Sequence, residues 1–232
     1  LTKKDLGYAK SLNIGIRKCK TKYLILMNPD CFIDVKSILN LEKMAKKIKK
    51  FSILVPRFNG YKENILNKVD YHLDKNLNYN FKNNIINIKY APGSFYFMKT
   101  KKAKEMMFDE KYYLYYEDRD FCKRAGKIYL IQNINYRHLY NQSHPDRLNN
   151  IIWLVKVWHH QWSMFYYHKK NYNYVYAFRI FFSKLLRYYF RYILDILMNR
   201  KNKNLNKAKF LGLLFSFLNI DSNKGYKFEK LN

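Results

Sequence analysis

The chain has 232 residues, 48% of them hydrophobic and 19% aromatic, with only 7 Gly and 4 Pro. That composition excludes collagen-like, Pro-rich and disordered chains and suits one full domain with an appendage. Charge is the outlier: 45 Lys and Arg against 17 Asp and Glu leave +28 at pH 7, which calls for an anionic partner without choosing among nucleic acid, an acidic membrane surface and a phosphorylated substrate. Lys, Asn, Ile and Tyr are all abundant, as in chains drifting toward AT-rich codons, so part of the excess is plain solvated surface. Cys19, Cys31 and Cys122 are odd in number and form no CxxC pair, which points to a reducing compartment. The chain opens at Leu1 with no basic segment leading into an apolar one, so no signal peptide is expected.

Thr2 to Lys18 reads as a helix, because Leu6, Ala9, Leu12 and Ile16 recur at helical spacing. Tyr23 to Met27 is a short apolar run of the kind shown by a strand buried on both faces, and Asn28-Pro29-Asp30 stops it. Helical spacing returns over 37–50, and Ile53 to Pro56 reads as the next strand. The alternation of helix and strand predicts an α/β fold with a mostly parallel sheet. Residues 59–89 are polar and weakly patterned and read as a long surface excursion. Ser94 to Met98 reads as a strand entered through Pro92-Gly93, followed by an aromatic loop over 108–116. Arg119 to Ala125 has helical character, with Asp118 placed to cap it and Gly126 to end it, and a strand over 128–131 leads toward His138.

Beyond residue 149 the pattern changes to aromatic, basic helices, which sets domains at 1–148 and 149–232. Over 176–198, Lys184, Arg187 and Arg191 fall within roughly one third of a helical wheel, with Phe181, Phe182, Leu185, Leu186, Tyr189, Ile193 and Ile196 opposite. Basic residues interrupt this helix too often for a membrane span. It reads as a helix lying in a membrane interface or as one packed on its own domain.

Three constellations carry chemistry. Asp30 sits at the carboxyl end of a strand, where ligands of open α/β sheets bind; it can hold a divalent ion on a phosphate or serve as a turn residue. Glu117, Asp118 and Asp120 crowd carboxylates at a loop-to-helix junction, which suits a proton acceptor or simply a helix N-terminus. His138 follows a strand and becomes a metal partner if the fold carries it to Asp30. Asn141-Gln142-Ser143 matches a glycosylation acceptor, which a reducing compartment would make irrelevant. Trp153, Trp158 and Trp162 recur on one helix, as do residues that stack on sugars or pack in a core.

The ordered set Leu6-Gly7-Tyr8-Ala9, Asn28-Pro29-Asp30, Pro92-Gly93, Phe108-Asp109-Glu110, Tyr115-Tyr116-Glu117-Asp118-Arg119-Asp120, Arg124 and His138 resembles the family 2 glycosyltransferases of the GT-A fold, closest to their rhamnosyltransferase-like branch. The resemblance covers roughly residues 5–145. It implies Asp118, or else Glu117, as catalytic base, and Asp30 with His138 as the site of Mg²⁺ or Mn²⁺ on the donor diphosphate. It further implies Gly93 at the acceptor pocket, with Asp120 and Arg124 in support; the aromatic loop 112–116, Tyr115 and Tyr116 included, is placed to bind the acceptor by stacking on sugar faces. In that family a nucleotide-binding portion, on the order of 60 residues, precedes the first of these segments, so an N-terminally truncated catalytic domain is expected.

The expected function is inverting transfer of a sugar from a nucleotide-diphosphate donor to a saccharide or lipid-linked saccharide hydroxyl in cell-surface polysaccharide synthesis. The expected location is cytoplasmic, peripheral on an anionic membrane surface at the inner face of the plasma membrane. A nucleic-acid-binding protein is the rival from composition, but no RRM-like, zinc-ligand or helix-turn-helix pattern supports it and nucleic acid is not expected as a partner. A non-catalytic membrane-associated scaffold is the other alternative.

Overall fold

The computed structural model describes residues 5–58, 84–139 and 149–226. They form two compact units. Residues 12–58, 84–108 and 118–139 build a sheet unit, and residues 5–11, 109–117 and 149–226 build a helical unit. The aromatic segment 109–117 thus belongs with the helices, and a single cut at 148 does not describe the division. His72, His144 and the Asn141-Gln142-Ser143 sequon lie outside the described residues, as does 59–83 of the polar excursion.

In the chain's first half the elements are α1 (Tyr8–Lys18), β1 (Tyr23–Met27), β2 (Cys31–Phe32), α2 (Val35–Ile48) and β3 (Ile53–Phe58). They are followed by β4 (Ile85–Ile88), β5 (Phe95–Lys99), α3 (Thr100–Met106), α4 (Glu117–Ala125) and β6 (Ile128–His138). The described part of the expected first helix begins only at Tyr8, after Gly7 at φ +78°. Asp34 starts α2 by accepting the Ser37 N–H at 2.7 Å, two residues earlier than apolar spacing alone suggests. β4 and α3 were not expected. Asn87 amid Ile85, Ile86 and Ile88 hides a strand in a polar stretch.

The sheet order is β1-β5-β3-β6-β2, with β4 also on β6. The expectation of a mostly parallel sheet is corrected: among the described strands only β3 and β6 pair in parallel, whereas β5 runs antiparallel to both β1 and β3, and β2 and β4 antiparallel to β6. The physical reason is connectivity. A parallel neighbour needs a crossover of a dozen or more residues; of the described strands β1, β3 and β6 are entered directly from a helix, and of these only β3 and β6 are neighbours, because β5 lies between β1 and β3. β4 and β5 share the reverse direction. The core between sheet and α2 gathers Leu41, Ala45, Leu54, Phe95, Phe97 and Tyr136. β1 alternates instead of burying both faces fully: Leu24 and Leu26 are buried, Tyr23 and Ile25 partly so, and Met27 is exposed.

α4 starts at Glu117, so Asp118 lies inside the first turn and does not cap it. Gly126 ends the helix at φ +76°, as expected.

The helical unit packs α5 (Asn149–Asn171), α6 (Tyr174–Leu197) and α7 (Lys203–Phe217) around Phe165, Ala177, Phe181, Leu213 and Phe217. Trp158 and Trp162 are buried, and Trp162 donates to the Ile220 carbonyl at 2.8 Å, so both serve packing. The buried face of α6 is rotated from the expected one: Phe181 is buried and Arg187 and Arg191 are exposed as expected, but Lys184 turns inward and part of the apolar set turns outward. Phe181 points inward, and Lys184 is half-buried between the Phe181 and Tyr188 rings; burial, then Arg187 and Lys209, hold its ammonium below the usual lysine range. Phe182, Leu186 and Tyr189 face solvent. Ala177, Phe181 and Tyr188 take the interior because they pack with Met164 and Phe165 of α5 and Leu213 and Phe217 of α7.

Gly212 lets α7 approach the α5 backbone: a Cβ there would stand 2.3 Å from the Trp158 carbonyl oxygen. Gly15 in α1 is exposed, with nothing within 4 Å of its Cβ position. Gly212→Ala should therefore cost about 1–3 kcal/mol by overpacking, while Gly15→Ala should stabilise by about 0.5–1 kcal/mol through helix propensity. Urea unfolding midpoints moving the same way in both variants would contradict this packing.

Candidate functional site

Two clusters in the sheet unit contain sequence-predicted residues. The first lies where β2 pairs with the end of β6. Cys31 stands opposite His138, and the Leu139 N–H donates to the Asp30 carbonyl at 2.8 Å. This pairing brings His138 Nε2 to 2.9 Å from Asp30 Oδ1, although 108 residues separate them. Both side chains are mostly buried yet reachable, at 12% and 15% exposure.

Cys31 Sγ lies in the same cluster, all ligand atoms falling within 4.8 Å of one another. It fits a cation poorly. Burial, and then the Asp30 charge, push the Cys31 thiol up to about 12, and the thiol donates to the Ser94 carbonyl at 3.5 Å. A soft sulfur is also a poor match for an oxygen-preferring cation such as Mg²⁺ or Mn²⁺. One carboxylate oxygen and one imidazole nitrogen do suit a hard or borderline divalent ion whose remaining positions are filled by substrate oxygens.

The second cluster surrounds Asp118. Its Oδ2 accepts the Tyr90 hydroxyl at 2.7 Å and the Gly93 N–H at 3.2 Å, and its Oδ1 accepts the Arg119 N–H at 2.7 Å. Gly93 permits this approach, since a Cβ there would meet Asp118 Cβ at 3.1 Å. Sequence reading missed Tyr90, although it lies just ahead of the Pro92-Gly93 turn. Burial, then the Asp118 charge, push the Tyr90 hydroxyl far up, so it remains a donor. The Arg119 guanidinium lies 4.9 Å from the centre of the Tyr90 ring, completing the wall.

Asp120 is buried and bridges Arg124 Nε at 2.9 Å. Arg124 in turn donates to the Met106 and Met107 carbonyls at 2.6 and 2.8 Å, tying α4 to the end of α3. Their role is to hold α4 in place.

In the helical unit, Tyr115 and Tyr116 occupy the left-handed region at φ 68° and 64°. Two successive aromatic residues there store strain that surrounding contacts must hold. Both rings meet His160 edge-on, at 5.7 and 5.5 Å. Glu117 is buried, and burial followed by the Glu117 charge raises the Tyr115 hydroxyl. Tyr112 and Tyr113 point inward, Tyr113 stacking on His159 at 4.2 Å, so they are not surfaces for a sugar ring.

Residues 1–107 match the family model for Glycosyl transferase family 2. No curated protein matches the chain. Among solved structures, the chain is similar to GalNAc-T7 crystallised with UDP, GalNAc and Mn²⁺, at 14% identity and a TM-score of 0.48 over 70% of this chain. It is also similar to S. aureus TarS, at 12% identity and a TM-score of 0.46 over 69% of this chain. The similarity spans 38% and 32% of those two chains. The matched residues 1–107 carry β1 to β5, Asp30 and Gly93.

Proposed function

We propose that the protein transfers a sugar from a nucleotide-diphosphate donor to a saccharide hydroxyl with inversion at the anomeric carbon. The observation that carries this reading is the Asp118 carboxylate, half-exposed and oriented by Tyr90, Gly93 and Arg119 through neutral N–H and O–H donors. A general base must be ionised, aimed and reachable. Glu117 is buried, which favours Asp118 over it.

In the step we propose, the acceptor hydroxyl passes its proton to an Asp118 oxygen as the hydroxyl oxygen attacks the anomeric carbon. The bond from that carbon to the donor diphosphate breaks, and the diphosphate leaves with the electron pair. Asp30 Oδ1 and His138 Nε2 are the residues that would hold Mg²⁺ or Mn²⁺, which when bound offsets the charge developing on the leaving diphosphate. Tyr90 keeps the Asp118 carboxylate turned, and the Asp120–Arg124 pair keeps α4 seated beneath it.

Asp118→Asn should lower turnover about 10²- to 10⁴-fold, the range that general base catalysis contributes, with nucleoside-diphosphate binding little changed by calorimetry. Turnover within a few-fold of wild type, together with a dead Glu117→Gln, would transfer the role to Glu117.

Asp30→Ala and His138→Ala should each weaken Mn²⁺-dependent nucleoside-diphosphate binding about 10- to 100-fold and leave metal-free binding alone. Activity that survives exhaustive chelation would remove the cation from the reaction.

A further inference from the structure

We infer that the solvent face of α6 seats in the headgroup region of an anionic lipid bilayer, the helix lying in the plane of the surface. The inference stands apart from the glycosyl-transfer reading and concerns the helical unit alone. α6 spends its inward face on Ala177, Phe181, Lys184, Tyr188 and Asp195. Its outward face nevertheless carries Val175, Phe178, Phe182, Leu186, Phe190 and Leu197, all exposed. These residues recur along nearly the whole 24-residue helix, and so continuous an apolar stripe is costly to leave in water.

Charge selects the occupant. Arg179 is exposed within the stripe and Arg187 is exposed on its flank, while Arg191 is exposed nearer the inward face. Asp195 is the sole acidic residue of α6. It is buried, accepts the Asn206 side-chain N–H at 2.6 Å and faces Arg200 at 3.9 Å, so it offers nothing to a partner. A second copy laid on this stripe would oppose arginine to arginine across a two-fold axis, with no exposed carboxylate of α6 to pair them. Anionic headgroups supply the missing negative charge, while Phe and Leu enter the acyl boundary and the arginine stems reach back to the phosphates. Among the described residues no helix is long and apolar enough to cross a membrane, which agrees with a helix that lies on the surface.

The test is vesicle co-sedimentation of the full chain with phosphatidylcholine alone or mixed with phosphatidylglycerol. Wild type should bind the anionic vesicles, and Arg179→Gln with Arg187→Gln should weaken binding about 25-fold. Phe182→Ser with Phe190→Ser should weaken it about 100-fold. Both pairs are exposed, so the helical circular-dichroism signal should be retained. As a readout that needs no weakened variant, the indole introduced by Phe182→Trp should shift its emission to the blue on anionic vesicles and be quenched by brominated lipid. Binding of the double-serine variant equal to wild type would mean that the +28 charge acts alone and would overturn the inference. So would an unshifted indole, or a lipid-independent dimer that the serine pair dissolves.

Discussion

The register of β6 is the constraint on which the rest of the sheet unit depends. β3, β4 and β2 all pair with this one 11-residue strand. Between Pro56 and Arg57 the partner on β6 jumps from Ile131 to Asn135, so β3 advances one residue while β6 advances four. Pro56 has no N–H to give the ladder, and the irregularity falls directly after it. An odd number of inserted residues inverts the alternation of the strand. Tyr129 and Ile131 face the α2-side core before the shift, and Ile134 and Tyr136 face it after. His138 shares the parity of Ile134 and Tyr136, so the inversion turns its ring toward Asp30.

Around Asp118 the same economy appears in local form. Three neutral donors fix the carboxylate, and two of them, Tyr90 and Gly93, come from the stretch between β4 and β5. β4 pairs with β6 and β5 with β3, so the six-residue link that contains Tyr90, Pro92 and Gly93 is anchored at both ends. A turn held that way can present an N–H and a hydroxyl to one oxygen without the entropy loss that a free loop would incur.

How far the sequence discloses this depends on whether a feature is local. β1, β3, β5 and the body of α2 stand where apolar runs and helical spacing put them, because each is signalled by its own residues. The fold brings Asp30 to His138 and Gly93 to Asp118, and neither pairing can be read from spacing. Tyr90 was missed because one tyrosine among 23 carries no local mark. The sheet directions were misjudged because β4 and β5 enter without helices, and the α6 faces because aromatic residues cover most of its circumference and leave periodicity little contrast.

The distribution of charge explains why a chain with 45 cationic side chains keeps two carboxylates usable. Asp109 meets Lys170, Asp120 meets Arg124 and Asp195 faces Arg200, so the charge of each is spent on holding helices and loops in place. For Asp109 burial pushes the carboxyl up, but bonds from Lys170, the Lys111 N–H and Tyr166 outweigh it and hold it below the usual range. Asp118 is held instead by a phenol and two backbone N–H groups, and Asp30 by an imidazole. A lysine or arginine bound at either position would neutralise the carboxylate and occupy the space a substrate proton or a divalent ion needs. Neutral donors orient without neutralising. In the proposed reaction Asp118 is therefore kept in position by groups that leave its negative charge available.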